Sequence, residues 1–386
     1  MFSKKLIEEF SELETPFYYY DLNLLKSTLN AALDSANNFG YHIHYAMKAN
    51  THLEVLKTIQ SLGFGADCVS GNEVLKALEM NFSPNKIAFA GVGKTDKEIN
   101  IGLDNSIFSF NVESLEELVV IDGLAGSANT IAQVAIRLNP NVNAKTHKYI
   151  TTGLEENKFG INQWELPQLF NLFRSLKHIK FVGLHFHIGS QIVDLTVFKN
   201  LCTRVNELQE LFLEAGFDLP HLNLGGGLGV NYHEPNEEPI VNFENYFSLF
   251  DKFLKKIPKQ EIHFELGRAL VAQCGSLISK VVFVKKGLKT NFVILDAGMT
   301  ELMRPALYQA YHKIENLSSQ LIDKPSEQKK YDVVGPICES SDCFGKAIDL
   351  PETKRGDLMA IRTAGAYGEV MSSHYNLREK VQVIVK

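Results

Sequence analysis

The chain has 386 residues, of which 45% are hydrophobic and 22% charged, with a formal net charge of -6. This balance excludes a disordered chain, a collagen-like repeat and a disulfide miniprotein, and the length suits two domains or one large barrel with a satellite. A pI of about 6.1 with no Lys/Arg block argues against a nucleic-acid partner, and a mean hydropathy of -0.08 with no long apolar run argues against a membrane span.

The N-terminus, MFSKKLIEEFSELE, alternates charges with hydrophobes and lacks the apolar core of a signal peptide. Next, TPFYYYD reads as a strand. Eight further strands are predicted at 41–47, 65–70, 85–91, 106–112, 132–138, 180–188, 220–226 and 261–267, with amphipathic stretches between them. FKNLCTRVNELQELFLEAG, for example, puts Leu201, Val205, Leu208, Leu211 and Phe212 at helical spacing. Strand alternating with helix implies parallel pairing, and eight units is the count of a (β/α)8 barrel. A doubly wound open sheet is the rival.

Parity within the strands favours closure. His42, His44, Ala46 and Lys48 share one face of their strand, Gly183, His185 and His187 one face of theirs, and His263 and Glu265 one face of the last. The opposite faces are apolar and suit a helical layer. Lys48, His187 and Glu265 then point inward near the C-terminal strand ends, where barrels place their chemistry. Beyond residue 268 the texture becomes β-rich, in SLISKVVFVKKG, TNFVILDAG, KYDVVGPI, DLMAIRTAG and KVQVIVK, with RPALYQAYHKIENL as a helix. The expected division is a barrel over 23–267 and a mostly antiparallel β domain over 268–386, completed by 1–22, which joins the chain ends.

Several residues fit one chemistry. Lys48, at a strand end after apolar neighbours, is partly desolvated, which favours the neutral amine and Schiff-base formation. LGGGLG (224–229) frees backbone N–H groups to approach an anion, after the strand where barrels commonly bind phosphate. In HFHIGSQ (185–191) an imidazole can lie on an aromatic ring, and Ser190 can donate to phosphate. Glu265 in ELGR needs a partner when buried, and a pyridinium N–H is one. Singly, these have plain readings: a surface lysine, a tight turn, satisfied interior histidines, a Glu265–Arg268 ion pair. Together they meet the requirements of pyridoxal 5'-phosphate. No third inward ligand beside His185 and His187 has zinc spacing, and the five cysteines form no CxxC, so no metal and a reduced, cytoplasmic protein are expected. In the β domain, Cys338 in GPICESSD can return a proton to a carbanion, Glu339 can hold an ammonium, Arg304 and Tyr308 suit a carboxylate, and Tyr367 sits on a small-residue loop.

The ordered motifs YAMKAN, GADCVSGNE, HKYITTGLEENKFGI, GLHFHIGSQ, NLGGGLG, ELGR, RPALY, GPICESSD and AGAYGEVMSSHYN cover nearly the whole chain. In this order the chain resembles the diaminopimelate decarboxylase family of fold-type III pyridoxal-phosphate enzymes, whose superfamily includes ornithine and arginine decarboxylases. GPICESSD and RPALY favour diaminopimelate over ornithine. The resemblance implies that Lys48 holds the cofactor covalently, His187 stacks on its ring and Glu265 bonds its nitrogen. It implies Ser190, Gly226, Gly227 and Tyr367 at or near the phosphate, and Arg268, Arg304, Tyr308 and Glu339 on meso-diaminopimelate. It also implies a homodimer in which Cys338 and Glu339 enter the partner's site, and a lid between Asn141 and Ile161. One departure is ELGR, where the family commonly reads EPGR; Leu266 keeps Glu265 in register. The rival readings are ornithine or arginine decarboxylation and a catalytically silent relative.

Overall fold

The computed structural model describes residues 2–142, 158–322 and 327–386. They divide into two units: 29–229 with 242–267, and 1–28 with 230–241 and 268–386. The expected lid lies mostly within 143–157, outside the described residues.

The first strand, β1 (Phe17–Tyr20), belongs to the second of these units. The next eight are β2 (Tyr41–Ala46), β3 (Gly65–Cys68), β4 (Ile87–Phe89), β5 (Ser109–Val112), β6 (Ala132–Arg137), β7 (Ile179–His185), β8 (His221–Asn223) and β9 (Glu261–Leu266), and they close into a parallel barrel. Closure runs through β2 and β9, which pair from Tyr41↔Ile262 to Tyr45↔Leu266. The predicted inside-outside parity holds where it can be read. Phe264 faces out and packs edge-on against Tyr246, Phe247 and Phe250 of the helix Phe243–Phe253. Its neighbours His263 and Glu265 face in, bonded to side chains from other strands. Each such fully buried aromatic contributes about 1.5–3 kcal/mol, which makes a one-residue slip of β9 prohibitive.

Seven of the eight barrel strands end earlier than the sequence predicts, and for two of them this moves a site residue off the strand. β2 stops at Ala46, so Lys48 sits in a single turn of 3-10 helix, Met47–Ala49. β7 stops at His185, and His187 lies in the loop beyond it.

The second unit is an eight-stranded sheet that includes β10 (Gly275–Lys286), β11 (Asn291–Leu295), β12 (Ile314–Asn316), β13 (Gln328–Val334), β14 (Cys343–Pro351), β15 (Leu358–Ile361) and β16 (Gln382–Val385). Most pairs are antiparallel; β1 runs parallel to β16 and thereby joins the two ends of the chain. Phe10, Phe17, Tyr19, Ile278 and Leu358 are among its core residues. The helix expected over RPALYQAYHKIENL is a correction: only Arg304–Tyr308 is helical, and Ile314–Asn316 is strand β12. Gln309 takes a left-handed conformation, φ 53°, which ends the helix. Ile314 and Asn316 then gain more by pairing with β15 and being buried than by continuing a helical turn.

Candidate active site

Glu265 organises the C-terminal end of the barrel. It is buried, and Asn111 Nδ2 (3.1 Å) and Asn223 Nδ2 (2.7 Å) both donate to its Oε1. His185 Nε2 lies 2.9 Å from Oε2 and donates to it. Four strands, β5, β7, β8 and β9, thus contribute to one carboxylate. Burial works to raise its pKa, but the His185 contact, helped by the Lys48 charge, outweighs it and holds Glu265 below the usual carboxylate range. A carboxylate has about four acceptor positions; three are taken here. The remaining one fits a cationic N–H donor such as a pyridinium.

Lys48 Nζ lies 3.7 Å from Asp67 Oδ2. Asp67 is buried, and its Oδ1 has no hydrogen-bond partner. Burial, then the Glu265 charge, pushes the Asp67 pKa well up against the opposing pull of Lys48. His187 is pushed well down by burial and by the charges of Lys48 and Arg137, so it is a neutral imidazole. Its Nδ1 accepts from Gly226 N at 3.4 Å.

The glycine run is required by close approaches of backbone. A Cβ on Gly226 would lie 1.9 Å from the Glu265 carbonyl oxygen. On Gly227, at φ +110°, it would lie 2.7 Å from that of Gly189. Ile192 bridges to Leu228, with Ile192 N donating to Gly227 O at 2.8 Å. This bridge draws the loop carrying Ser190 against the glycine loop. Glycines, a serine, a neutral imidazole, a lysine and a caged carboxylate on one barrel end fit the donor set that pyridoxal phosphate needs.

The second unit carries a separate cationic cluster. Arg268 Nη1 donates to Tyr232 Oη at 2.5 Å, and its guanidinium lies 4.8 Å from the Tyr367 ring centre. The Arg304 guanidinium lies 5.4 Å from the centre of the Tyr232 ring, and its Nε donates to His312 Nε2 at 3.3 Å. His312 Nδ1 faces the Arg362 carbonyl oxygen at 2.9 Å, so it must carry the proton, leaving Nε2 to accept. Burial and then the Arg304 charge lower the His312 pKa to about 3. Arg304 is buried, and among the described residues no carboxylate pairs with it. Tyr308 is half-buried at the end of the same short helix.

Cys338 and Glu339 are exposed on a turn built by Asp342, which accepts from Ile337 N (2.7 Å) and Met299 N (2.6 Å). Asn376 Oδ1 accepts from Cys338 N at 3.3 Å, and Tyr375 Oη donates to Glu339 Oε1 at 2.7 Å.

Several residues here were not singled out from sequence, which reads His185 only as an inward-facing histidine without a role at Glu265. Asn111, Asn223 and His185 cage Glu265, Asp67 meets Lys48, and Tyr232 and His312 frame the arginines. Glu113 and Arg137 form a buried ion pair at 2.7 Å. The available signal was parity: Asp67, Asn111, Arg137 and Asn223 are polar residues each flanked on both sides by apolar ones.

A closed barrel with a caged carboxylate, a nearby lysine and a glycine anion loop defines a pyridoxal-phosphate enzyme. Residues 25–272 match the family model for the pyridoxal-dependent decarboxylase, pyridoxal binding domain, and the chain belongs to this family. Among its relatives, the diaminopimelate decarboxylase of Bacteroides thetaiotaomicron is 56% identical, over 97% of this chain and 96% of the relative. That of Helicobacter pylori is 41% identical, over 97% and 91% respectively. The crystal structure of Helicobacter pylori diaminopimelate decarboxylase complexed with L-lysine superposes with a TM-score of 0.90 at 40% identity, covering 98% of this chain and 93% of the other.

Proposed function

We propose that this chain is a pyridoxal-phosphate-dependent carboxy-lyase that converts meso-2,6-diaminopimelate to L-lysine and carbon dioxide by decarboxylation at the D-centre, the last step of lysine biosynthesis. The observation that carries the reading is the caged, ionised Glu265 with Lys48 nearby. The substrate is supported by relatives that are diaminopimelate decarboxylases at up to 56% identity, one of them solved with L-lysine.

When bound, pyridoxal phosphate supplies a protonated ring able to take up the electron pair left by a departing carboxylate. Glu265 would keep the ring nitrogen protonated, and its cage would prevent it from turning aside. Lys48 would be the residue that holds the cofactor covalently, through its side-chain amine. His187, neutral, would lie against the ring without adding a charge. Ser190, Gly226, Gly227 and Tyr367 bind the phosphate. Arg268, Arg304 and Tyr308, with Tyr367, hold the substrate carboxylates, and Glu339 holds the distal ammonium. Ornithine and arginine lack the distal carboxylate and would leave a buried guanidinium unpaired, which is costly. Cys338 delivers the proton to the carbon that has lost its carboxylate.

The active form is a homodimer in which Cys338 and Glu339 of one copy complete the site of the other; both are exposed in the single chain. It works in the cytoplasm, consistent with five unpaired cysteines, and no helix among the described residues is long and apolar enough to cross a membrane. A dilution series following activity and mass together tests the dimer, and a fully active monomer refutes it. The function is tested by giving protein loaded with pyridoxal phosphate meso-diaminopimelate, ornithine or arginine in parallel. Lysine from diaminopimelate alone, abolished in Lys48→Ala, is the expected result. Turnover of ornithine or arginine instead overturns the substrate, and no turnover of any overturns the activity.

A further inference from the structure

The N-terminal end of the barrel carries a polar cluster that decarboxylation does not use. His221 opens β8 and is the register partner of Glu261, the first residue of β9. His263, two residues further on, shares the inward face. His221 Nδ1 lies 3.1 Å from His263 Nε2 and 3.3 Å from Glu261 Oε2, and the His263 nitrogen lies 3.7 Å from the same oxygen. A tetrahedral zinc ion, with bonds of about 2.0–2.1 Å, has ligand-to-ligand edges of about 3.3–3.4 Å. The three observed edges straddle that value.

Behind these ligands the tautomers are set. His44 Nδ1 faces the Lys86 carbonyl oxygen at 3.0 Å and must donate, so its Nε2 is bare. His263 Nδ1, 3.0 Å from that Nε2, therefore donates in turn. This leaves the lone pair of His263 Nε2 directed at His221 and Glu261. Metal-binding histidines are oriented in this way, with the far ring nitrogen donating to a fixed acceptor. The rings are held by packing: Phe108 lies 4.9 Å from His221 and 5.1 Å from His263, and His42 stacks on His263 at 5.1 Å. Burial keeps His44 neutral, with a pKa of about 4, and lowers those of His263 and His221. His42 and Lys180 are the other charged or titratable groups felt by His221.

We propose that His221, Glu261 and His263 form a binding site for one divalent transition metal of the zinc class, which clips the start of β8 to the start of β9. Two imidazoles and a carboxylate suit zinc better than magnesium or calcium, which prefer oxygen alone. His263 is buried, while His221 is partly and Glu261 largely exposed, so a fourth position lies open to water. At this end of a barrel the metal acts on stability, not on catalysis.

The test uses the full chain loaded with pyridoxal phosphate and stripped of metal by chelation. Equilibrium dialysis against Zn2+ alone, with metal analysis, is expected to give one ion per chain and a raised unfolding temperature; Mg2+ is expected to give neither. His263 variants risk misfolding, so the exposed ligands are changed: Glu261→Gln and His221→Gln. Both are expected to keep the parent's lysine-forming rate and to lose more Zn2+ affinity than the roughly 10- to 100-fold that loss of an outer-shell partner costs. Co2+ in place of zinc is expected to show the intense visible bands of a low-coordinate site, absent in both variants. No stoichiometric Zn2+ in the parent overturns the proposal, as does binding unchanged in both variants.

Discussion

Glu265 in the barrel and Arg304 in the second unit are both buried charges, treated in opposite ways. Glu265 accepts three hydrogen bonds from side chains of three other strands. Arg304 has a tyrosine face, one long bond to His312 and, nearby, a second cation, Arg268. Burial first, and then the Arg268 charge, lowers the Arg304 pKa, whereas Glu265 is held in its charged form. A group that must stay ionised and still throughout a reaction needs its solvation built in. A group that is to receive an anion can be left short of one, because the incoming carboxylate supplies the missing interaction and the empty site disfavours ligands that lack it.

This contrast can be broken by experiment. Glu265→Gln should lower kcat by about 10²- to 10³-fold, as expected when a preorganised charge is removed; an unchanged kcat would show that the cage serves the fold alone. Arg304→Met should raise KM for diaminopimelate by roughly 10- to 100-fold, the worth of a hydrogen bond to a charged group. Its unfolding temperature should not fall, because an unpaired buried charge is replaced by an apolar chain. A marked drop would make Arg304 structural. Asn223→Leu should cost about 1–3 kcal/mol in urea unfolding, since it strips a donor from a buried carboxylate; a neutral effect would mean that the cage relaxes freely.

A further prediction concerns pH. His312 has a folded pKa of about 3 against an ordinary 6.5, so the unfolded chain takes up the proton first. The stability linked to His312 is therefore complete above about 6.5 and lost as pH falls toward 3. The Glu265 contribution is complete above its ordinary value of 4.5 and is lost only below that. Between pH 6.5 and 4.5 the urea-midpoint difference between parent and His312→Gln should shrink as pH falls. A difference independent of pH would contradict a neutral, buried His312.

Much of this was legible in the sequence. The eight barrel strands could be read because hydrophobic periodicity and turn residues are local, and the inward parity of His263 and Glu265 follows from the two-residue repeat of a strand. Where local pattern misled, a tertiary contact had won. RPALYQAYHKIENL has helical composition, but Ile314–Asn316 pairs with β15 and leaves the helix. Lys48 and His187 were expected on strands and lie just past them, because the barrel ladders end at Ala46 and His185.

By itself, then, the sequence determined the alternation of elements, the face each strand turns inward and the presence of a lysine, a glycine loop and a carboxylate at strand ends. Only the tertiary structure decided their chemical state. The donors to Glu265 lie 42, 80 and 154 residues away along the chain, so its charge depends on barrel closure. The tautomer of His263 is likewise set by His44, 219 residues distant. Local periodicity specifies which way a side chain points; the proton it carries depends on burial and on partners that only the closed fold brings within hydrogen-bonding distance.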